Sequence, residues 1–169
     1  FLFQFLNSNE YKLSLQDVKL IIASSIFLAL HFGSWVWSLD NTSLVHSLLF
    51  VTSHPIIIVL IMPILGSSVT KSHIFGAFLG VFGAIITFGD IDKGGEVSFI
   101  GDFAAFIGAV TVVGYMFIGR HLRSNCKMPV FIYAFPVTLG AGIWLAFSAL
   151  IFEPISLSDS IPEYTLFGW

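Results

Sequence analysis

The sequence predicts an all-α membrane protein, a polytopic helical bundle, and three features carry that expectation. Only 10% of the 169 residues are charged and 56% are hydrophobic, including 19 phenylalanines, whereas a soluble domain carries about 25% charged residues. The charges are clustered, leaving uncharged runs at 20–39, 41–70, 72–89, 103–119 and 128–152. A hydrocarbon core about 30 Å thick is crossed by about 20 helical residues rising ~1.5 Å each, so every run is long enough to span. The third feature is the lack of the polar and apolar alternation that marks barrel strands. Lipid-exposed backbone must otherwise satisfy its hydrogen bonds inside a helix.

Each expected span has borders and a character of its own. The first, about 20–39, lies between Lys19 and Asp40, and His31, Ser34, Trp35 and Ser38 fall at i, i+3, i+4 and i+7 on one face of it. Asp40, Asn41 and Thr42 form a short turn into a second span, about 43–65, whose own polar stripe runs through Ser43, His46, Ser47, Phe50, Ser53 and His54. Polar groups at that depth face protein or water rather than lipid, which implies a hydrated cavity between the two stripes. Pro55 lacks the N–H that would reach the carbonyl of Val51, so a kink is expected there, with similar bends at Pro63 and Pro136. Kinked helices with freed carbonyls build substrate sites in many transporters, although a neighbouring hydroxyl also satisfies such a carbonyl in a static bend.

The third span, about 73–89, carries Gly76, Gly80 and Gly83, with the first two in GxxxG spacing. The fourth, about 102–119, carries Ala104 and Gly108, also four apart, and then Thr111 and Tyr115. Small residues let membrane helices approach closely, so these five are expected to serve helix packing, and the glycine stripe also admits a homodimer. The fifth span, about 129–152, contains Pro136 and Trp144, and a new apolar stretch starts near Tyr164. The chain opens on Phe1 rather than Met and stops at Trp169 inside that stretch, which reads as a piece of a longer protein.

Basic residues are retained on the cytoplasmic side of a membrane, and their placement sets the expected orientation. Lys12, Lys19, Lys71, Arg120, Arg123 and Lys127 fall on one side and only Lys93 on the other, where eight of the ten acidic residues also lie. Residues 1–19, 67–73 and 120–128 are therefore expected to be cytoplasmic, in the plasma membrane or an endomembrane. A net charge of −3 argues against nucleic acid as a partner, leaving the lipid bilayer and a small-molecule substrate. The single cysteine, Cys126, rules out an internal disulfide framework.

Nothing in the sequence calls for a cofactor, a metal or catalysis. No GxSxG elbow, Walker loop or HxxH box occurs, and no carboxylate lies inside a span, so an enzyme is not expected. His46 and His54 are eight residues apart, about 80° around a helix, which does not suit joint metal ligation. His31, His46 and His54 are the titratable groups well inside spans; each is read either as a hydrogen-bonded structural residue or as the carrier of a coupling proton.

The order of these features resembles the EamA family of the drug/metabolite transporter superfamily. The stretch WVWSLDNTSLVHSLLFVTSHPIIIVLI places Ser38, Leu39, Thr42, Ser43 and Pro55 where that family has its best-marked helix end, Thr-Ser turn and mid-span proline. The likeness continues through Leu65 and Gly66, the glycines Gly76, Gly80 and Gly83, and Gly101 with Asp102 opening the fourth span and Arg120 with Arg123 closing it. The family usually has a glutamate after the glycine that ends the second span, where this chain has Ser67. The resemblance implies part of a ten-span inverted-repeat transporter fold. Residues 1–89 would be the end of the first repeat and 100–169 the start of the second, and the five spans the third to seventh of ten.

The functional expectation is an integral membrane secondary transporter, an exporter or permease of small metabolites, that alternates access around a midplane cavity. Its cavity candidates are His31, Ser34, Trp35, Ser38, His46, Ser53, His54, Pro55 and Tyr115. The alternative is a non-transporting polytopic membrane scaffold or receptor.

Overall fold

The computed structural model describes residues 11–88 and 97–152. The charged stretch holding Asp90, Asp92, Lys93 and Glu96 and the expected start of a further span near Tyr164 lie outside the described residues.

Among the described residues six α-helices follow one another: α1 (Leu15–Asn41), α2 (Leu44–Val51), α3 (His54–Ile61), α4 (Lys71–Phe88), α5 (Phe99–Arg120) and α6 (Val130–Phe152). The chain is an all-α membrane bundle, with no strand among the described residues. Among the described residues four stretches are long and apolar enough to cross a membrane: Leu15–Asn41, Leu44–Ile61, Phe99–Asn125 and Val130–Phe152. The span expected at 73–89 is α4, a helix of 18 residues that opens on Lys71, Ser72 and His73 and is not one of these four.

The starts of α1 and α5 are fixed by side-chain caps that lie outside the uncharged runs. Ser14 Oγ accepts from the Asp17 N–H at 3.1 Å, and the Asp17 carboxylate accepts from the Ser14 N–H at 2.9 Å. This reciprocal box satisfies two donors otherwise left open and begins α1 five residues before the apolar run. Ser98 Oγ accepts from Gly101 N–H in the same way and brings Asp102 into the first turn of α5. Asp40 and Asn41 belong to the last turn of α1, so the connection to α2 is only Thr42 and Ser43, the latter capping α2 through the N–H of His46.

Pro55 does more than kink the second crossing. One helix ends at Val51, Thr52 and Ser53 form a turn, and a second begins at His54 with Pro55 in its first turn, where a missing N–H costs nothing. The carbonyl of Val51 is not left free: His54 Nδ1–H donates to it at 3.2 Å. Ser53 Oγ donates to Phe50 O and Thr52 Oγ1 to Leu48 O, both at 2.6 Å. The break is thus saturated by three consecutive side chains. Pro63 lies in the turn after α3, while Pro136 is carried inside an unbroken α6.

The dominant contact is α1 against α5, with α6 packed on α1 and α2 on α5. Close approach comes from small residues. Gly101, Ala105, Gly108 and Ala109 of α5 are buried, and a Cβ at Gly101 would collide with the carbonyl of Asn41. Below this seam, Ile21, Leu122, Met128, Tyr133 and Val137 make an apolar cluster, beside a single π-helical turn at His121–Asn125 that ends α5. Along α6 only Tyr133, Val137 and Ala141 are buried, four residues apart. Many large apolar side chains of α4 and α6, among them Phe75, Phe78, Phe82, Phe135 and Phe147, are exposed, as a lipid-facing surface requires.

Candidate functional site

The polar stripes of α1 and α2 meet one another and α5 in layers. At the hairpin end, Thr42 Oγ1 donates to Asp102 Oδ1 at 2.7 Å and accepts from the Ser98 N–H at 3.2 Å. His46 Nδ1 lies 3.0 Å from the other oxygen, Asp102 Oδ2. The side chain of Asp102 is 14% exposed and that of His46 is 35% exposed, so the pair sits at the rim of the packed seam with the imidazole toward the outside.

One layer deeper, Ser38 donates to the Trp35 carbonyl and shares a 2.6 Å bond with Ser47, both hydroxyls being fully buried. Ser38 has a single proton, committed to the carbonyl, so Ser47 is the donor in that pair. Deeper still, His31 Nδ1–H donates to Gly108 O at 2.8 Å, and Thr111 Oγ1 bonds the same carbonyl at 3.1 Å. Trp35 stacks beside His31 with ring centroids 6.1 Å apart. Its Nε1 is buried and is the one buried side-chain donor without a hydrogen-bond acceptor among the described residues.

The open space lies on the neighbouring face of α1. A groove of about 870 Å³ runs between α1, α5 and α6, lined by Phe32, Val36, Trp37, Phe103, Ile107 and Leu145, with Ser34, Asp40 and Ser148 as its polar points. Of the nine cavity candidates from the sequence, Ser34 alone lines it. His31, Ser38 and His46 are bonded within the α1–α2–α5 seam. Ser53, His54 and Pro55 form the helix break, and Tyr115 stacks on Tyr133 at 6.2 Å. Tyr133 itself shares a 2.7 Å bond with the buried Ser24, which ties α6 to α1 at the other end of the bundle.

The small residues expected at packing positions divide in the same way. Gly108 packs against Ser34 and the carbonyl of His31, and Ala104 faces the groove. A Cβ at Gly76 or Gly80 would meet nothing within 4 Å. Sequence reasoning placed Asp102 at the opening of the fourth span but missed it as a member of the site. Its signal was the Ser98 cap four residues earlier, which places Asp102 inside the helix. Among the described residues no three His, Cys, Asp or Glu side chains gather as a metal site.

No family model, no curated protein and no solved structure matches this chain. Its class therefore rests on the fold: a helical membrane bundle with a hydrogen-bonded polar seam beside an open amphipathic groove.

Proposed function

We propose that the protein is a secondary transporter of small metabolites, cytoplasmic at its basic loops, of the kind that the EamA-like order of its motifs implies. The observation that carries this reading is the groove between α1, α5 and α6. Its volume of about 870 Å³ falls within the usual range of small-molecule sites, roughly 300–1,000 Å³, and its lining of apolar and aromatic side chains with a few polar points is typical of them. Asp40 and Ser148 at its hairpin half suit a solute with an apolar body and a polar or cationic head. Alternating access would then move the α1–α2 hairpin and α5, which are tied together by polar contacts, relative to α6.

The test is flux of radiolabelled amino acids, nucleosides and lipophilic cations into liposomes holding the intact protein. Saturable flux that falls at least tenfold in Trp37→Ala or Asp40→Asn supports the reading; a correctly folded protein that moves none of these solutes overturns it. A second reading, a membrane scaffold or receptor, is favoured by the bare Gly76–Gly80 face of α4, which would accept a helix of another protein. Cysteines at Val36 and Ala104 separate the two: water-soluble reagents label them in a hydrated transporter groove and not in a dry scaffold.

A further inference from the structure

Three histidines sit along the crossing helices, and their Nδ1 atoms have different fates. His31 and His54 both donate to backbone carbonyls, of Gly108 and Val51. Each bond closes a packing contact or a helix break, and neither places the ring on a carboxylate. His46 alone meets a carboxylate, Asp102 Oδ2 at 3.0 Å. That carboxylate is oriented from behind by the Thr42 hydroxyl, itself held by the Ser98 N–H. The relay fixes the imidazole with Nδ1–H on the carboxylate and leaves Nε2 as a lone-pair acceptor. His46 lies in the first turn of α2, at the hairpin end, with 35% of its side chain exposed.

We infer that Nε2 of His46 is a proton-binding site and that the coupling ion of this protein is a proton; the second half of the inference rests on the transport reading above. A proton arriving from water forms a bond to Nε2 and breaks none in the protein. Without it the His46–Asp102 pair carries one negative charge; with it the pair is net neutral. A net charge at a membrane margin is costly to withdraw from water, whereas a neutral pair moves into the seam more cheaply. Proton binding thereby biases whether the hairpin and α5 face the aqueous phase, which is the requirement for coupling a proton to a conformational change.

Other ionisable groups around the pair are few. From α1, Asp40 stands at the same end of the bundle, while His31 lies deeper. From α4 the titratable residues are Lys71 and His73, in its first turn at the opposite end. From α5 they are Asp102 itself, Tyr115 midway and Arg120 at the far end, and from α3 only His54.

The experiment has two arms on the intact protein. In lipid nanodiscs, ring-carbon NMR of ¹³C-labelled histidine follows the five histidines across about pH 5 to 8, the range in which imidazoles change charge. His46→Asn identifies the His46 signal, and its amide keeps a donor for Asp102. The expected result is a His46 signal that moves with pH and whose titration is displaced in Asp102→Asn. In liposomes, flux of whichever panel solute is carried should change several-fold over the same range, become flat in His46→Asn, and keep its profile in His73→Asn. A His46 signal that stays constant over this range, or a His46→Asn protein with the unaltered pH profile, overturns the inference even where flux is robust. If His46 titrates as expected while no solute moves, the transport reading fails and the proton site stands.

Discussion

Ser38 and Ser47 face each other across the α1–α2 hairpin with their oxygens 2.6 Å apart, and no part of either residue is exposed. Because Ser38 also donates to the Trp35 carbonyl, Ser38→Ala strands the proton of Ser47. Unfolding in mixed micelles should show a loss of about 1 kcal/mol for each single alanine variant. The double variant should lose less than the sum, with a coupling near 0.6 kcal/mol, typical of interhelical hydrogen bonds in membranes. Strict additivity would mean that the two hydroxyls do not interact.

The glycines of α4 and α5 have opposite tolerances. Gly101→Ala drives a methyl into the Asn41 backbone, which cannot yield as a flexible side chain would, so a loss of about 3 kcal/mol or failure to fold is expected. Gly80→Ala has open space around it and sits mid-helix, where alanine is favoured over glycine by about 1 kcal/mol. Stability equal to or above the parent is the expected result for Gly80→Ala, measured by thermal unfolding in the same detergent.

His54 and Pro55 are expected to be non-additive in a particular direction. His54→Ala removes the donor to Val51 O and should cost about 1 kcal/mol. Pro55→Ala restores an N–H four residues after Val51, so in that background the same His54→Ala change should be nearly silent. A four-variant unfolding cycle measures this directly, and equal costs in both backgrounds would contradict the capping role of His54.

At the opposite end, Tyr133→Phe leaves the hydroxyl of Ser24 buried without its 2.7 Å bond. A loss of about 1 kcal/mol is expected, largely recovered by adding Ser24→Ala. The Tyr133 hydroxyl also stands where a Cβ on Gly119 would be, 2.7 Å away, so Tyr133→Phe should make Gly119→Ala better tolerated. The measurement is again unfolding in mixed micelles, with Gly119→Ala compared with its parent in each background.

The bundle was largely legible because charge is so costly in hydrocarbon that Lys19, Asp40, Lys71 and Arg120 stand close to helix borders. The remaining errors in those borders came from caps: Ser14 with Asp17, and Ser98, extend α1 and α5 beyond their uncharged runs. The helix break at Thr52 and Ser53 was not legible. Pro55 announces a lost hydrogen bond, but whether the helix bends or splits depends on how Thr52, Ser53 and His54 bond the carbonyls of Leu48, Phe50 and Val51. The stripes of His31 to Ser38 and Ser43 to His54 were legible as faces turned away from lipid. Their bonding partners were not, since Gly108 and Asp102 are more than 50 residues distant in sequence and no periodicity encodes such a pairing. The groove escaped for a related reason: its lining is apolar and looks, along the chain, like any lipid-facing surface.

The break between Val51 and His54 also changes what the second crossing is mechanically. Each half has eight residues, about 12 Å of helix, so neither reaches across the hydrocarbon by itself. The upper half is anchored to α5 through His46 and Asp102, while the lower half divides its contacts between α4 and α5. Two levers with different anchorages thus share one elbow, whose backbone carbonyls are already occupied by side chains. Both halves also touch α4, so a displacement of α4 reaches the upper lever directly as well as through the elbow's side-chain bonds.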